Sequence, residues 1–151
     1  MISVVIPCAK EHFDFLIPLL DEFLNQSLYP DEVIISLSEP ELINLDKLTE
    51  FDNKIKDYKF SIILLKNRGK KTPGENRQIG SNVCKNDYIV YQDADDFPHR
   101  QRFEILNYVF EKYNANHITH LLTRRSRYFN NRHKLEDIKP FKWNKRSAIK
   151  G

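Results

Sequence analysis

The sequence predicts an α/β fold, a mostly parallel sheet flanked by helices, and three observations point to it. Short apolar runs rich in β-branched residues alternate with stretches whose apolar residues recur at helical spacing, four times over. The joints between them are short, which suits right-handed βαβ units. The chain has 151 residues, 40% hydrophobic and 12% aromatic, enough for one core and cramped for two enzyme domains.

Each element has its own reason. Ile2 to Ile6 is a continuous β-branched run bounded by Pro7, the pattern of a buried strand. Phe15, Leu16, Leu19, Leu20, Phe23 and Leu24 then recur at helical spacing, with Asp14 as the cap and Pro18 in the first turns, where proline is tolerated. Tyr29-Pro30-Asp31 is a turn, and Glu32 to Leu37 is a second buried strand. Leu42 to Tyr58 is a weaker helical stretch rich in Lys and Asp, and Phe60 to Leu65 is a third strand. The polar, basic loop from Asn67 to Pro73 leads into a helix with Glu75, Arg77 and Gln78 early and Ile79, Val83 and Cys84 later. Tyr88 to Gln92 is a fourth strand, closing on Asp93-Ala94-Asp95-Asp96. Pro98 opens a helix with Phe103, Leu106, Val109 and Phe110 on one face. Ile118 to Thr123 reads as a fifth strand, and beyond Asn130-Asn131 the pattern fades into a basic segment containing Trp143.

Charge divides the chain unevenly. Residues 1–123 hold 14 Lys and Arg against 19 Asp and Glu, a net of −5, whereas residues 124–151 hold 10 against 2, a net of +8. An acidic body excludes a uniformly basic nucleic-acid binder and leaves only a terminal arm for that role. Two cysteines, Cys8 and Cys84, are too few for a disulfide framework or a four-thiolate zinc site and suit a reducing compartment. Met1 to Pro7 lacks a signal peptide's positive start, and no window stays apolar long enough to form a transmembrane segment. The expectation is a cytoplasmic protein, or one seated peripherally at a membrane surface.

In parallel sheets, ligands bind beyond the carboxyl ends of the strands, so the residues that follow each strand are the candidates. Asp93, Asp95 and Asp96 close the fourth strand, and like charges this close call for a cation. Hard oxygen donors suit Mg²⁺ or Mn²⁺, which bind through one or two carboxylates together with substrate phosphates. The plainer alternative has Asp96 capping the helix near Pro98 and the other two solvated. Arg77 likewise either faces a ligand or is a surface arginine paired with Glu75 or Asp87. His117 and His120 lack a third ligand at matching spacing, and no nucleophile elbow or Walker-type phosphate loop is present.

From Asn67 the chain reads N-R-G-K-K-T-P-G-E-N-R-Q-I-G and runs on to D-A-D-D at Asp93 to Asp96. This order resembles family 2 glycosyltransferases of the GT-A fold. Asn67 and Gly69 match an Asn-x-Gly loop, Arg77 and Gly80 match an arginine-bearing helix, and the three aspartates match a D-x-D-D motif. The opening I-S-V-V-I-P resembles the family's first strand, and Asn25-Gln26-Ser27 with Tyr29-Pro30 resembles the turn after its first helix. These five features lie in order over about the first 115 residues.

The resemblance implies a GT-A, Rossmann-like sheet, a nucleotide-diphosphate sugar (UDP- or GDP-linked) as donor, and a carbohydrate, lipid or protein acceptor. It implies that Pro7, Cys8, Ser38, Glu39, Asn67, Gly69, Arg77, Asp93 and Ala94 serve the nucleotide-sugar. Asp95, with Asp96, would hold Mn²⁺ or Mg²⁺ on the diphosphate. Residues 1–123 then form the donor-binding domain, and residues 124–151 a basic segment that is either the start of a short or truncated acceptor side or a tail. Two features depart from the pattern. The second strand ends Ser36-Leu37-Ser38-Glu39 where relatives carry two acidic residues, which moves base recognition toward serine hydroxyls and Glu39. Asn76 and Gln78 flank Arg77 where a small residue and Asn are usual. Glu136 and Asp137 come too soon after Asp96 to be the family's catalytic pair and read as solvated partners of Lys134 and Lys139, so no base is assigned. The reading is metal-assisted, inverting glycosyl transfer. A non-catalytic nucleotide-sugar-binding module is the alternative from another class. Nucleic-acid binding through the aromatic and basic arm from Arg124 to Lys150 is a third.

Overall fold

The computed structural model describes residues 1–119 and 132–139. Four parallel strands, β1 (Ile2–Cys8), β2 (Glu32–Ser38), β3 (Ser61–Asn67) and β4 (Tyr88–Tyr91), form one sheet in the order β3-β2-β1-β4. Helices α1 (Leu16–Leu24), α2 (Leu45–Lys54) and α3 (Pro73–Ser81) make the crossovers, and α4 (Arg102–Tyr113) follows β4. The chain steps outward from β1 to β3 and then returns to the far side of β1. The strand order therefore switches between β1 and β4, where an open α/β sheet leaves a crevice.

Burial follows the sequence pattern. β1 and β2 are buried along all seven residues each, as central strands covered on both faces must be, whereas edge strand β3 is half-exposed. At the start of these strands Ser3 Oγ donates to Glu32 Oε1 at 2.6 Å and the Lys85 amide donates to the same oxygen at 2.6 Å. α1 buries Leu16, Leu19, Leu20 and Phe23, and α4 buries Phe103, Leu106 and Val109. Phe23 meets Phe103 edge-on at 5.1 Å, and Tyr88 stacks on Phe110 at 4.5 Å, so aromatic pairs tie both helices into the core.

Several boundaries differ from expectation. A 3-10 turn (Lys10–Phe15) precedes α1, so Phe15 takes the cap position and Asp14 instead pairs with Lys47 at 2.8 Å. α2 is shorter than Leu42 to Tyr58 because Asn44 caps it, accepting from the Asp46 and Lys47 amides. α3 stops at Ser81, which leaves Val83 exposed and Cys84 half-buried beyond its end. Pro98 is buried but opens no helix; α4 starts at Arg102 with Gln101 at its cap. Residues 118 and 119 form no strand, and residues 120–123 of the expected fifth strand lie outside the described residues. So do 124–131 and 140–151 of the basic segment, Trp143 included.

α3 opens with a capping box: Thr72 Oγ1 accepts the Glu75 amide at 3.2 Å, and Glu75 Oε2 accepts the Thr72 amide at 2.7 Å. Hydrogen bonds from the Thr72 amide and hydroxyl hold the Glu75 carboxyl below its usual range. Bonds from Ser27 and then Gln101 do the same for Glu104. A depressed carboxyl favours the folded state while ionised. That stabilisation is complete above the unfolded carboxylate range and is lost as pH falls through the folded values. Acidification from about pH 6 to about pH 3 should therefore lower Tm less in a Glu75→Gln/Glu104→Gln double variant than in the wild type. Equal slopes of Tm against pH would contradict it.

Candidate functional site

At the switch point, the ends of β1 and β4 and the start of α3 enclose a cleft of about 230 Å³. Pro7 and Ala9 line it from β1, Asp93, Ala94 and Asp95 from the turn after β4, and Asn76 and Arg77 from α3. His12, Lys71 and Pro73 complete the wall.

Gly80 sets the distance between α3 and the sheet. A Cβ on it would lie 2.5 Å from Val5 Cγ1, so only glycine lets the helix lie this close to β1. One turn earlier, Arg77 then reaches the cleft. Its Nη2 donates to Asp93 Oδ1 at 2.6 Å, and its guanidinium carbon sits 5.9 Å from the centre of the Tyr91 ring. The alternative partners, Glu75 and Asp87, are not used; Glu75 is occupied by the cap.

The acidic turn is fixed from beneath by Gln92, a residue read from the sequence only as the end of a strand. Its amide continues the ladder to Val5 O at 3.0 Å, and its buried side chain donates to Asp93 O at 3.1 Å and Asp96 O at 2.8 Å. The Asp96 amide closes the turn on Asp93 O at 3.3 Å. Asp96 does not cap α4 and lies exposed outside the cleft lining. The exposed Asp95 carboxylate faces the cleft and makes no hydrogen bond or ion pair among the described residues.

Beneath the cleft lies a buried polar frame. Asn67 Nδ2 donates to Ser36 Oγ at 2.9 Å and to Asn76 Oδ1 at 3.3 Å, while Ser36 Oγ donates to Asn76 Oδ1 at 3.2 Å. Asn76 Nδ2 and Ser38 Oγ each donate to the Cys8 carbonyl at 3.4 Å. The Cys8 side chain is wholly buried. Burial, with the charges of Glu11 and then Asp95, pushes its thiol up to about 12, so it remains a neutral packing group. Beside the frame, Glu39 adopts a left-handed conformation (φ 55°) and its amide reaches the carbonyls of Asn67 and Gly69 at 3.1 and 3.2 Å. Gly69 (φ 70°) returns an amide to Glu41 Oε1 at 2.9 Å, and Glu39 accepts from Lys10 at 3.5 Å.

Of the residues singled out by sequence, Pro7, Arg77, Asp93, Ala94 and Asp95 meet at the cleft. Cys8, Ser38 and Asn67 build the frame below it, and Glu39 and Gly69 knit the adjoining loops. Lys71 and Asn76 join the lining as well; their signal was adjacency to the cap and to Arg77 of a helix that starts at the sheet's ligand edge. His12 and Ala9 carry no comparable signal. Among the described residues, no three His, Cys, Asp or Glu converge as a metal-binding group.

A parallel sheet whose order reverses at β1, with an acidic turn and an arginine meeting at the switch point, is an open α/β arrangement with its ligand crevice at that edge. The model of the Glycosyl transferase family 2 matches residues 3–150, and the chain belongs to that family. The solved structures similar in fold include two of S. aureus TarS. The crystal structure of S. aureus TarS 1-349 in complex with UDP aligns with a TM-score of 0.56 at 14% identity, covering 75% of this chain and 32% of that one. The crystal structure of S. aureus TarS aligns with a TM-score of 0.50 at 16% identity, covering 75% of this chain and 20% of that one. The chain thus spans about a third and a fifth of those chains. No curated protein matches in sequence. Among the described residues, no helix is long and apolar enough to cross a membrane.

Proposed function

We propose that the cleft binds a nucleotide-diphosphate sugar and that the domain directs its sugar to an acceptor hydroxyl of a carbohydrate, lipid or protein. The observation that carries this reading is the Arg77–Asp93 pair beside Asp95, which is unpaired among the described residues, at the switch point of a family 2 chain. The UDP of the TarS complex supports a uridine nucleotide as the first ligand to test, with GDP as the second.

Three charged groups of the lining have a use in that chemistry. Arg77 supplies a fork of donors for the anionic nucleotide, and Asp93 orients it beside the ribose or sugar. Gln92 holds the turn that presents both carboxylates. Asp95 would hold Mn²⁺ or Mg²⁺, being a hard oxygen donor at the cleft wall and unpaired among the described residues, with Asp96 next to it in sequence but outside the lining. When bound, such an ion neutralises charge on the departing diphosphate. In the transfer, the acceptor oxygen bonds to the anomeric carbon as the carbon–diphosphate oxygen bond breaks, and the hydroxyl proton passes to a base. A single displacement inverts the configuration.

A second reading is a binding module without turnover. The observation favouring it is that Glu136 and Asp137 sit exposed in a 3-10 turn (Leu135–Asp137) that does not line the cleft. Calorimetric titration of UDP and GDP with and without Mn²⁺ tests both readings. Binding of either nucleotide, strengthened at least about tenfold by Mn²⁺, is the expected result. Absence of binding by both nucleotides under both conditions would sink the proposal. Release of UDP or GDP from the corresponding sugar nucleotides then separates a transferase from a binding module.

A further inference from the structure

Arg77 is held by more than its carboxylate. Val90 packs into the core, so Tyr91, the next residue of β4, projects to the opposite face of the sheet, toward α3. There its hydroxyl meets Ser81 Oγ at 2.9 Å. Ser81 is one turn beyond Arg77, and its own hydroxyl donates to the Arg77 carbonyl at 2.8 Å, so the phenol is the donor in the Tyr91–Ser81 bond. The same tyrosine ring underlies the Arg77 guanidinium at 5.9 Å, and Asp93, two residues further along the chain, takes its Nη2 at 2.6 Å. One strand end therefore grips the arginine twice, by ring and by carboxylate. It also bolts down the helical turn that carries it.

We infer that Tyr91 is a positioning residue for Arg77, with Ser81 as its anchor on α3. The inference rests on the reading that Arg77 meets a nucleotide in the cleft. Tyr91 is 45% exposed, more than core packing of a tyrosine requires. It does not line the cleft, so its effect on a ligand passes through Arg77. A free arginine side chain has many rotamers, and freezing one on binding weakens affinity by an amount that a preformed grip removes in advance. The ring's attraction for the guanidinium works at an exposed site because arginine is weakly hydrated.

The test uses the whole chain and two readouts. Nitrogen relaxation of the Arg77 Nε–Hε group in the ligand-free protein reports whether the side chain is held. Calorimetry with UDP and GDP reports what holding it does. Tyr91→Leu should leave Arg77 held by Asp93 alone, measurably more mobile than in the wild type, and weaken nucleotide binding about three- to tenfold. Tyr91→Phe, which keeps the ring and loses the bolt, should restore most of both. In an Arg77→Gln background, Tyr91→Leu should cost nothing further, which a general loosening of the domain does not explain. An Arg77 Nε as ordered in Tyr91→Leu as in the wild type overturns the inference, as does an equal loss of affinity in both backgrounds. If the wild type binds neither nucleotide, the proposed function fails instead, and the relaxation result alone decides the role of Tyr91.

Discussion

Gly80→Ala lowers the stability of the chain by about 1–3 kcal/mol, read in urea as a lower midpoint at unchanged slope. The added methyl lies 2.5 Å from Val5 Cγ1, well inside any contact that carbon atoms tolerate. Val5 has little means to yield. It is wholly buried, paired with Ile34 on one side and Tyr91 on the other, and a β-branched side chain has few alternative rotamers. The helix must then move out, carrying Arg77 from Asp93, so nucleotide affinity should fall along with stability. Gly74→Ala is the control. A Cβ there meets nothing nearer than Thr72 Oγ1 at 4.0 Å, and alanine suits a helix better than glycine. That variant should be as stable as the wild type or slightly more so. Equal midpoints for Gly80→Ala and the wild type would refute the packing argument.

The four strands were legible because each is a continuous apolar run. A run covered on both faces has no alternation to misread, and Ile2–Cys8 and Glu32–Ser38 extend only one or two residues past the predicted ends. The helix starts were less legible. Pro98 carries a helix-opening signal, yet the His99 ring accepts the Gln101 amide at 3.1 Å and spends those residues in a turn. Asp14 looks like a cap until the chain ahead of it coils into a 3-10 turn. At the site, the order of residues identified Arg77 and the aspartates, and strand-end position told where to look. Their pairing was not readable. Arg77 and Asp93 are sixteen residues apart and meet only because β4 returns beside β1 under α3. The role of Gln92 was hidden for the same reason: a buried amide that spans a turn has no periodicity to reveal it.

If the proposed metal role holds, Asp95→Asn should remove most of the help that Mn²⁺ gives to nucleotide binding, with a loss of about 10- to 100-fold in the Mn²⁺-supported affinity for UDP or GDP. That is the range already seen when only a ligand's outer partner is lost. The argument rests on how the three aspartates are used. Asp93 is half neutralised by Arg77 before any ligand arrives, and Asp96 lies on the outer side of the turn. Asp95 alone is both at the cleft and unpaired among the described residues, so a divalent ion entering beside a diphosphate finds its free carboxylate there. Asparagine keeps the size and one carbonyl oxygen but loses the charge. The carboxylate is exposed, so the fold should melt as before. The neighbours give the contrast that makes the result specific. Asp96→Asn should lose less than Asp95→Asn. Asp93→Asn, which frees Arg77, should weaken binding of the nucleotide even without metal. Electron paramagnetic resonance of free Mn²⁺, titrated with protein at saturating nucleotide, reads the metal directly. Undiminished Mn²⁺ uptake by Asp95→Asn would move the ion away from this residue and leave the carboxylate without the role assigned to it.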